Sequence, residues 1–289
     1  MRCVKLTALV ALFAGLLPAV PDLCAQNAAS AQYVAMGSSI ASGPGLGTRD
    51  PGSPPLCMRS SINYAHLFAA KRGLTLRDVT CSGATTAGIL TGQRMLPPQI
   101  DAVGPETELV TISIGGNDVH LAENLFAWSC ANAPKKIPDA WRPWICREAP
   151  QAQVDDAFGG LEAHLRAIVD GIHQRAPHAR IVFVDYVQLV PPSGTCPHRL
   201  PLTKAQLAQA RADEDRLAAM TAKVARETGS GLLQASVLSR GHDVCAADSW
   251  IFPLEFPPHL MDFAPLAYHP KAEAMAAIAE ALDKMIPAH

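Results

Sequence analysis

Short apolar runs alternate with longer segments of helical periodicity along this chain. The strand-like runs lie at 32–36, 74–80, 109–114, 180–186 and 231–235. Apolar residues at helical spacing mark the segments 62–71, 154–175, 202–228 and 271–285. Strands that alternate with helices require crossover connections, which are right-handed and place helices on both faces of a mostly parallel sheet. The pattern therefore predicts an α/β fold.

The first 25 residues have the composition of a secretory signal peptide. Arg2 and Lys5 precede an apolar run of 12 residues at 6–17, and small residues follow Pro18. This run is too short to cross a membrane, which requires about 20 apolar residues in a helix. We therefore expect a signal peptide at 1–25, no transmembrane segment, and a secreted or periplasmic protein.

A lipoprotein anchor at Cys24 is the alternative use of this segment. The residues before it, Pro21-Asp22-Leu23, lack the small side chain that such processing prefers. A signal peptide would leave 26–289 as the mature chain, and no linker or block of charge divides these residues. We expect a single domain at 26–289.

The charge of the mature chain argues against nucleic acid as a partner. Without the first 25 residues it holds 22 basic and 25 acidic residues, and the basic residues are scattered. A protein that neutralises phosphates needs a basic surplus or stripe. We therefore expect no nucleic acid among its partners.

Six of the eight cysteines remain after signal removal. An even count in an exported chain favours disulfides over metal ligation, and neither a CxxC pair nor a His-Glu-x-x-His motif occurs. Six cysteines allow 15 pairings. We favour the sequential one because it closes the shortest loops; it pairs Cys57 with Cys81, Cys130 with Cys146, and Cys196 with Cys245.

Three loops follow predicted strands, and the reactive groups of a parallel sheet lie at the carboxyl ends of its strands. Ser39 follows the first strand beside a glycine that permits a tight turn. Gly83 follows the second strand, and Asn117 follows a glycine pair after the third. His269 precedes Pro270, where the last helix begins. Taken singly, each of these residues is typical of an ordinary turn, cap or surface position.

Their order resembles the four sequence blocks of the SGNH (GDSL) hydrolase family. The matching segments cover nearly the whole mature chain and read Tyr-Val-Ala-Met-Gly-Ser-Ser39-Ile, Cys-Ser-Gly83-Ala-Thr-Thr, Ile-Gly-Gly-Asn117-Asp and Tyr-His269-Pro. The likeness is greatest to the secreted bacterial esterases and lipases with six cysteines. It implies a three-layer α/β/α sandwich, with a mostly parallel, flavodoxin-like sheet of about five strands and loops braced by the three disulfides.

The resemblance also implies a role for each of the four residues. Ser39 would be the nucleophile and His269 the general base, since a serine hydroxyl is a poor nucleophile until a base takes its proton. The N–H groups of Ser39 and Gly83 and the side chain of Asn117 would form the oxyanion hole. The family implies no metal and no cofactor, because water is the second substrate.

Two positions depart from the family pattern. Ser38 replaces the usual Asp of Gly-Asp-Ser, and Leu266 stands where an Asp often lies three residues before the base. We expect a backbone carbonyl, that of Leu266, to orient His269, with the carboxylate of Asp262 as the alternative.

Apolar residues are frequent near His269 and around the segment between Cys130 and Cys146. They are candidates for the walls of an acyl channel, although core packing would explain many of them; they are Phe126, Trp128, Trp141, Trp144, Trp250, Ile251, Phe252, Phe256, Leu260, Met261, Phe263 and Leu266.

We therefore expect a secreted serine hydrolase of carboxylic (acyl or lipid) esters. Phospholipase or carbohydrate acetyl esterase activity at the same site and a non-catalytic binding module are the alternatives. An α/β-hydrolase nucleophile elbow is disfavoured, because that fold places several strands before the serine.

Overall fold

The computed structural model describes residues 32–133, 139–140, 142–254 and 267–287. The strands are β1 (Tyr33–Gly37), β2 (Leu76–Asp78), β3 (Leu109–Ser113), β4 (Arg180–Val184) and β5 (Gly231–Leu233). The helices are α1 (Ser39–Ser42), α2 (Tyr64–Arg72), α3 (Thr86–Leu90), α4 (Leu121–Asn132), α5 (Arg142–Ile145), α6 (Gln151–Arg175), α7 (Lys204–Thr228), α8 (Ala235–Leu238) and α9 (Ala272–Met285). Short 3₁₀ turns lie at Pro55–Cys57 and Gln99–Ala102.

The five strands form one sheet in the order β2-β1-β3-β4-β5, and every pair is parallel. β1 and β3 are buried along their whole length, which fits their continuous apolar sequences. β2 lies on one side of β1, and the later strands β3, β4 and β5 follow on the other side, so β1 and β3 flank the switch point of the sheet. In flavodoxin-like sheets the crevice at the carboxyl ends of those two strands is the usual ligand site.

Helices cover the sheet in two groups, which gives three layers. α2 and α9 pack against each other, while α6 packs against both α3 and α7. Local signals fix several helix ends: the Asn63 side chain accepts from the His66 N–H at the start of α2, and Thr203 and Gln206 form a capping box at the start of α7. The predicted α/β fold with a five-stranded parallel sheet is confirmed.

Sequence periodicity does not predict α4. Its buried residues include Leu121, Leu125 and Trp128 on one face, and also Ala127 and Cys130 on others. A helix buried on several sides lacks the apolar stripe by which a surface helix is recognised. This helix and α5 lie at the two ends of the segment that the Cys130–Cys146 disulfide closes.

All three predicted disulfides are confirmed. They join Cys57 to Cys81, Cys130 to Cys146 and Cys196 to Cys245. The closures span 24, 16 and 49 residues, and in the chain-entropy account each stabilises the fold by about 3–4 kcal/mol.

In the described ranges no helix is both long and apolar enough to cross a membrane. Over the same residues, His, Cys, Asp and Glu side chains form no group of three or more that is suited to a metal ion.

Glu214 on α7 has a carboxyl group whose pKa is strongly raised by burial. It accepts hydrogen bonds from the N–H groups of Leu189, at 2.9 Å, and Val190, at 3.3 Å, in the segment after β4. Burial nevertheless raises its pKa to about 8. The folded protein therefore binds this proton more tightly than the unfolded chain, in which glutamate titrates near about 4.3. Its contribution to stability is complete below about pH 4 and is lost as the pH rises through about 8.

We predict that Glu214→Gln stabilises the protein relative to wild type more at pH 9 than at pH 5. The amide oxygen still accepts from the two N–H groups, and the cost of a buried negative charge is removed. Melting temperatures of both proteins at the two pH values measure this effect. Glu148→Gln, at an exposed position, is the control. An equal difference in melting temperature at both pH values would contradict the assignment.

Candidate active site

Ser39 begins α1 directly after β1, at the carboxyl edge of the sheet. Gly37 permits this abrupt change of direction, because its φ of +150° and its contact with β3 both exclude a side chain. A Cβ atom there would fall 2.4 Å from the Ser113 carbonyl oxygen. The close approach of β1 to β3 thus sets where the Ser39 hydroxyl lies.

His269 meets Ser39 across the sheet edge. The Nε2 atom of His269 is 2.8 Å from the Ser39 Oγ atom, and both residues are buried. The Nδ1 atom lies 2.9 Å from the Ala267 carbonyl oxygen. A carbonyl only accepts hydrogen bonds, so in the neutral ring Nδ1 carries the proton and Nε2 accepts from the Ser39 hydroxyl. This is the geometry in which a histidine takes a proton from serine.

The carbonyl that the structure places beside Nδ1 is that of Ala267, one residue later than the expected Leu266. Leu266 and Asp262 both lie outside the described residues, so the predictions made for them stay predictions.

The loop that carries His269 is held by backbone pairing with the segment after Cys245. Tyr268 N–H donates to the Phe252 carbonyl at 2.7 Å, and Phe252 N–H donates to the His269 carbonyl at 3.0 Å. Tyr268 has a φ of +62°, and its phenol lies 2.6 Å from the hydroxyl of Ser129 on α4. Loop and helix together fix the backbone on both sides of His269.

Three hydrogen-bond donors lie on the loops around Ser39. The backbone N–H groups of Ser39 and Gly83 donate to no described residue. Asn117 donates one amide hydrogen to the Ala84 carbonyl at 2.8 Å, and no described residue accepts the other. The Cys81 N–H donates to the Gly37 carbonyl at 3.0 Å. This bond joins the loop after β2 to the end of β1, and the bond from Asn117 to Ala84 joins it to the loop after β3. Such prearranged donors are what a developing oxyanion requires.

Gln99 positions the Ser39 loop, and no sequence motif indicated it. Its side-chain oxygen accepts from the Gly37 N–H at 2.8 Å, and its amide nitrogen donates to the Gly37 carbonyl at 3.1 Å. The side chain is buried and reaches Gly37 across 62 residues of sequence. Nothing local in the sequence marks such a contact.

Tyr186 is a second residue that the sequence did not reveal. Its hydroxyl lies 2.8 Å from the Ser38 Oγ atom and accepts from the Gly116 N–H at 3.0 Å. Burial raises the pKa of Tyr186 to about 12, so the phenol stays protonated at neutral pH. Ser38, the position at which the family usually has Asp, therefore joins a neutral hydrogen-bond network that links the loops after β1 and β3.

The apolar residues proposed as channel walls divide into three sets. Trp128 and Ile251 are buried in the core, where their side chains pack structurally. Phe126, Trp250 and Phe252 are partly exposed. The remaining positions lie outside the residues whose side chains the structure describes: Trp141, Trp144, Phe256, Leu260, Met261, Phe263 and Leu266.

A serine hydroxyl hydrogen-bonded to a histidine, at the switch point of a parallel α/β sheet, is an arrangement suited to ester hydrolysis. A model of the GDSL-like Lipase/Acylhydrolase family matches residues 35–277. The chain belongs to this family and is a carboxylic ester hydrolase, which confirms the resemblance of the four sequence blocks.

Characterised relatives and solved structures agree with this assignment. The chain is 35% identical over 252 residues to Lipase 2 of Streptomyces coelicolor, covering 84% of this chain and 83% of the relative. It resembles the crystal structure of phospholipase A1 from Streptomyces albidoflavus, with a TM-score of 0.70 and 26% identity over 89% of this chain and all of that one. The extracellular lipase of Streptomyces rimosus gives a TM-score of 0.68 and 28% identity over the same shares.

We predict that Tyr186→Phe lowers both stability and turnover. The change leaves the Gly116 N–H and the Ser38 hydroxyl without their common partner, which costs about 1–3 kcal/mol, and it loosens the loops that hold Ser39 and Asn117. Thermal unfolding and kcat on a p-nitrophenyl ester measure the two effects.

Tyr33→Phe is the matched control for Tyr186→Phe. Tyr33 also loses a buried hydroxyl contact, 2.8 Å from Thr111 Oγ1, but it lies at the opposite end of β1. It should lose stability and keep its kcat. An equal loss of kcat in both variants would show that Tyr186 acts on stability alone.

Proposed function

We propose that the protein is a secreted or periplasmic serine esterase that cleaves carboxylic esters of acyl chains, with Ser39 as nucleophile and His269 as general base. The observation that carries the proposal is the 2.8 Å contact between Ser39 Oγ and His269 Nε2, with Nδ1 facing a carbonyl. The proposal treats 1–25 as a signal peptide and 26–289 as one catalytic domain that works as a monomer.

In the first half of the reaction, Ser39 Oγ attacks the ester carbonyl carbon as its proton passes to His269 Nε2. The carbonyl oxygen becomes an oxyanion, which the N–H groups of Ser39 and Gly83 and the free amide hydrogen of Asn117 stabilise. The tetrahedral intermediate collapses, the bond to the alcohol oxygen breaks, and His269 gives its proton to that oxygen. Ser39 is then acylated.

The second half repeats these steps with water. His269 takes a proton from a water molecule, whose oxygen attacks the acyl carbon. The intermediate collapses, the carboxylic acid is released, and Ser39 regains its proton from His269. Hydrolysis is complete without any group beyond the chain and water.

A lipid or acyl ester is the favoured substrate class. The family is one of lipases and acylhydrolases, and the relatives named above are lipases and a phospholipase A1 by name. Partly exposed aromatic side chains, Phe126, Trp250 and Phe252, suit an apolar acyl chain better than a polar acetylated sugar.

We predict that Ser39→Ala lowers kcat on p-nitrophenyl butyrate by about 10⁴-fold or more, because the nucleophile is lost. A fluorophosphonate probe should label wild type at Ser39 and leave the variant unlabelled, as read by peptide mass spectrometry. Ser193→Ala, at an exposed serine, should keep full activity. Wild-type activity in Ser39→Ala would overturn the proposal.

We predict that Asn117→Ala lowers kcat by about 100–1,000-fold, because one donor to the oxyanion is removed. The loss should lie in kcat rather than KM, since the bond strengthens as charge develops. Asn132→Ala is the control, since the Asn132 amide lies at the end of α4 and donates to Gln206. If kcat stays at the wild-type value in Asn117→Ala, Asn117 has no place in the oxyanion hole.

A further inference from the structure

The guanidinium of Arg94 lies over Gly83, in the space that a side chain at Gly83 would occupy. A Cβ atom on Gly83 would fall 2.7 Å from Arg94 Nη2 and 3.2 Å from Cζ. The φ of Gly83 is +77°, a left-handed conformation that favours glycine. A positive charge therefore lies beside a backbone N–H that the proposed function uses as an oxyanion donor.

Arg94 and Met95 form the tip of a two-residue turn. Gln93 N–H donates to the Leu96 carbonyl at 3.2 Å, and Leu96 N–H donates to the Gln93 carbonyl at 2.7 Å. The φ values at the tip are +47° and +63°, where turns of this kind usually have Asn or Gly. Met95 is fully exposed. The turn thus presents a cation and an apolar thioether side by side at a conformational cost, a combination typical of functional positions.

The charge of Arg94 is not neutralised by the described residues. Nη1 donates to the Ser82 carbonyl over a long 3.5 Å, and no described carboxylate lies within ion-pair distance. Arg59, by contrast, holds the Asp50 carboxylate at 3.1 Å. The side chain of Arg94 is exposed. Its planar fork of N–H donors therefore remains open to an anion with two oxygens in one plane, such as a phosphate.

We propose that Arg94 binds the phosphate of a phosphodiester-bearing ester, and that glycerophospholipids are the substrates this site selects. The inference rests on the proposed function, since it uses Gly83 to locate the scissile carbonyl. In a glycerophospholipid the glycerol carbons separate the acyl ester from the phosphate by only a few bonds. With the carbonyl oxygen of the ester at the Gly83 N–H, the phosphate lies within reach of the Arg94 guanidinium, and the apolar part of the lipid can contact Met95.

Neutral esters make no use of this feature. A triacylglycerol or an acetylated sugar has no anion to pair with the guanidinium, so Arg94 adds no charge-assisted hydrogen bond to the binding of either one. Charge-assisted, bidentate contacts between arginine and phosphate are strong among hydrogen bonds. Arg94 therefore discriminates between phosphorylated and neutral esters while the same serine hydrolyses both.

The test compares two soluble substrates with the same short acyl chains, dibutyroyl phosphatidylcholine and dibutyroylglycerol, both kept as monomers. In Arg94→Gln the ratio of kcat/KM for the phospholipid to that for the neutral ester should fall about tenfold or more, mostly through the KM of the phospholipid. Arg94→Lys keeps the positive charge but loses the planar guanidinium, so its kcat/KM ratio should lie between those of wild type and Arg94→Gln. Arg180→Gln should keep the wild-type ratio, because Arg180 is an exposed arginine with one 3.3 Å contact to a carbonyl at the opposite edge of the sheet.

The remaining outcomes separate the sources of the phosphate and the two proposals. Competitive inhibition by glycerophosphocholine that weakens in Arg94→Gln supports a headgroup site. Inhibition by inorganic phosphate alone, with the substrate ratio unchanged, would make Arg94 a free-phosphate site and overturn the inference. Equal losses on both substrates would also overturn it, because Arg94 would then serve the oxyanion. If Ser39→Ala is inactive and the ratio still does not change, only this inference fails; an active Ser39→Ala overturns the proposed function itself.

Discussion

The hydrogen bond between Ser39 and His269 joins positions that are 230 residues apart, and the rest of the structure is arranged so that it can form. Pairing of β1 with β3 sets the carboxyl edge at which Ser39 begins its short helix. Packing of α9 against α2 returns the end of the chain to the same edge, because His269 stands just before α9. A parallel sheet is well suited to this task, since the carboxyl ends of its strands meet on one side.

Secondary contacts give the site its rigidity. Gln99 binds the backbone at the end of β1, and Tyr186 binds the backbone of the loop after β3. The Asp118 carboxylate accepts from the Thr86 N–H at 3.1 Å, which ties the loop after β3 to α3. Each contact satisfies a polar group that would otherwise be costly to bury. With Ser38 in place of the family's usual Asp, the network around Tyr186 contains no charge, and the hydroxyl of Ser38 is enough to join it.

The fold could be predicted from sequence, and so could the four residues proposed for the candidate site, because both depend on local signals. β-branched runs identify buried strands, an even number of cysteines in an exported chain indicates disulfides, and the ordered blocks around Ser39, Gly83, Asn117 and His269 are contiguous motifs. Gln99 and Tyr186 contact residues that are 62 and 148 positions away in sequence, so no pattern along the chain reveals them. The structure places the Ala267 carbonyl beside His269 Nδ1, a detail that spacing along the chain cannot give.

The separation of Ser39 and His269 along the chain also has a kinetic consequence. Ser39 directly follows the first strand of the sheet, and His269 precedes the last helix, so the candidate site depends on contacts of very high sequence separation. Contacts of this kind form slowly, because the entropy of closing the intervening loop must be overcome first. The Ser39–His269 pair therefore assembles only after the sheet is complete and α9 has docked. If this pair is the catalytic one, as proposed, hydrolytic activity arises as a late product of folding.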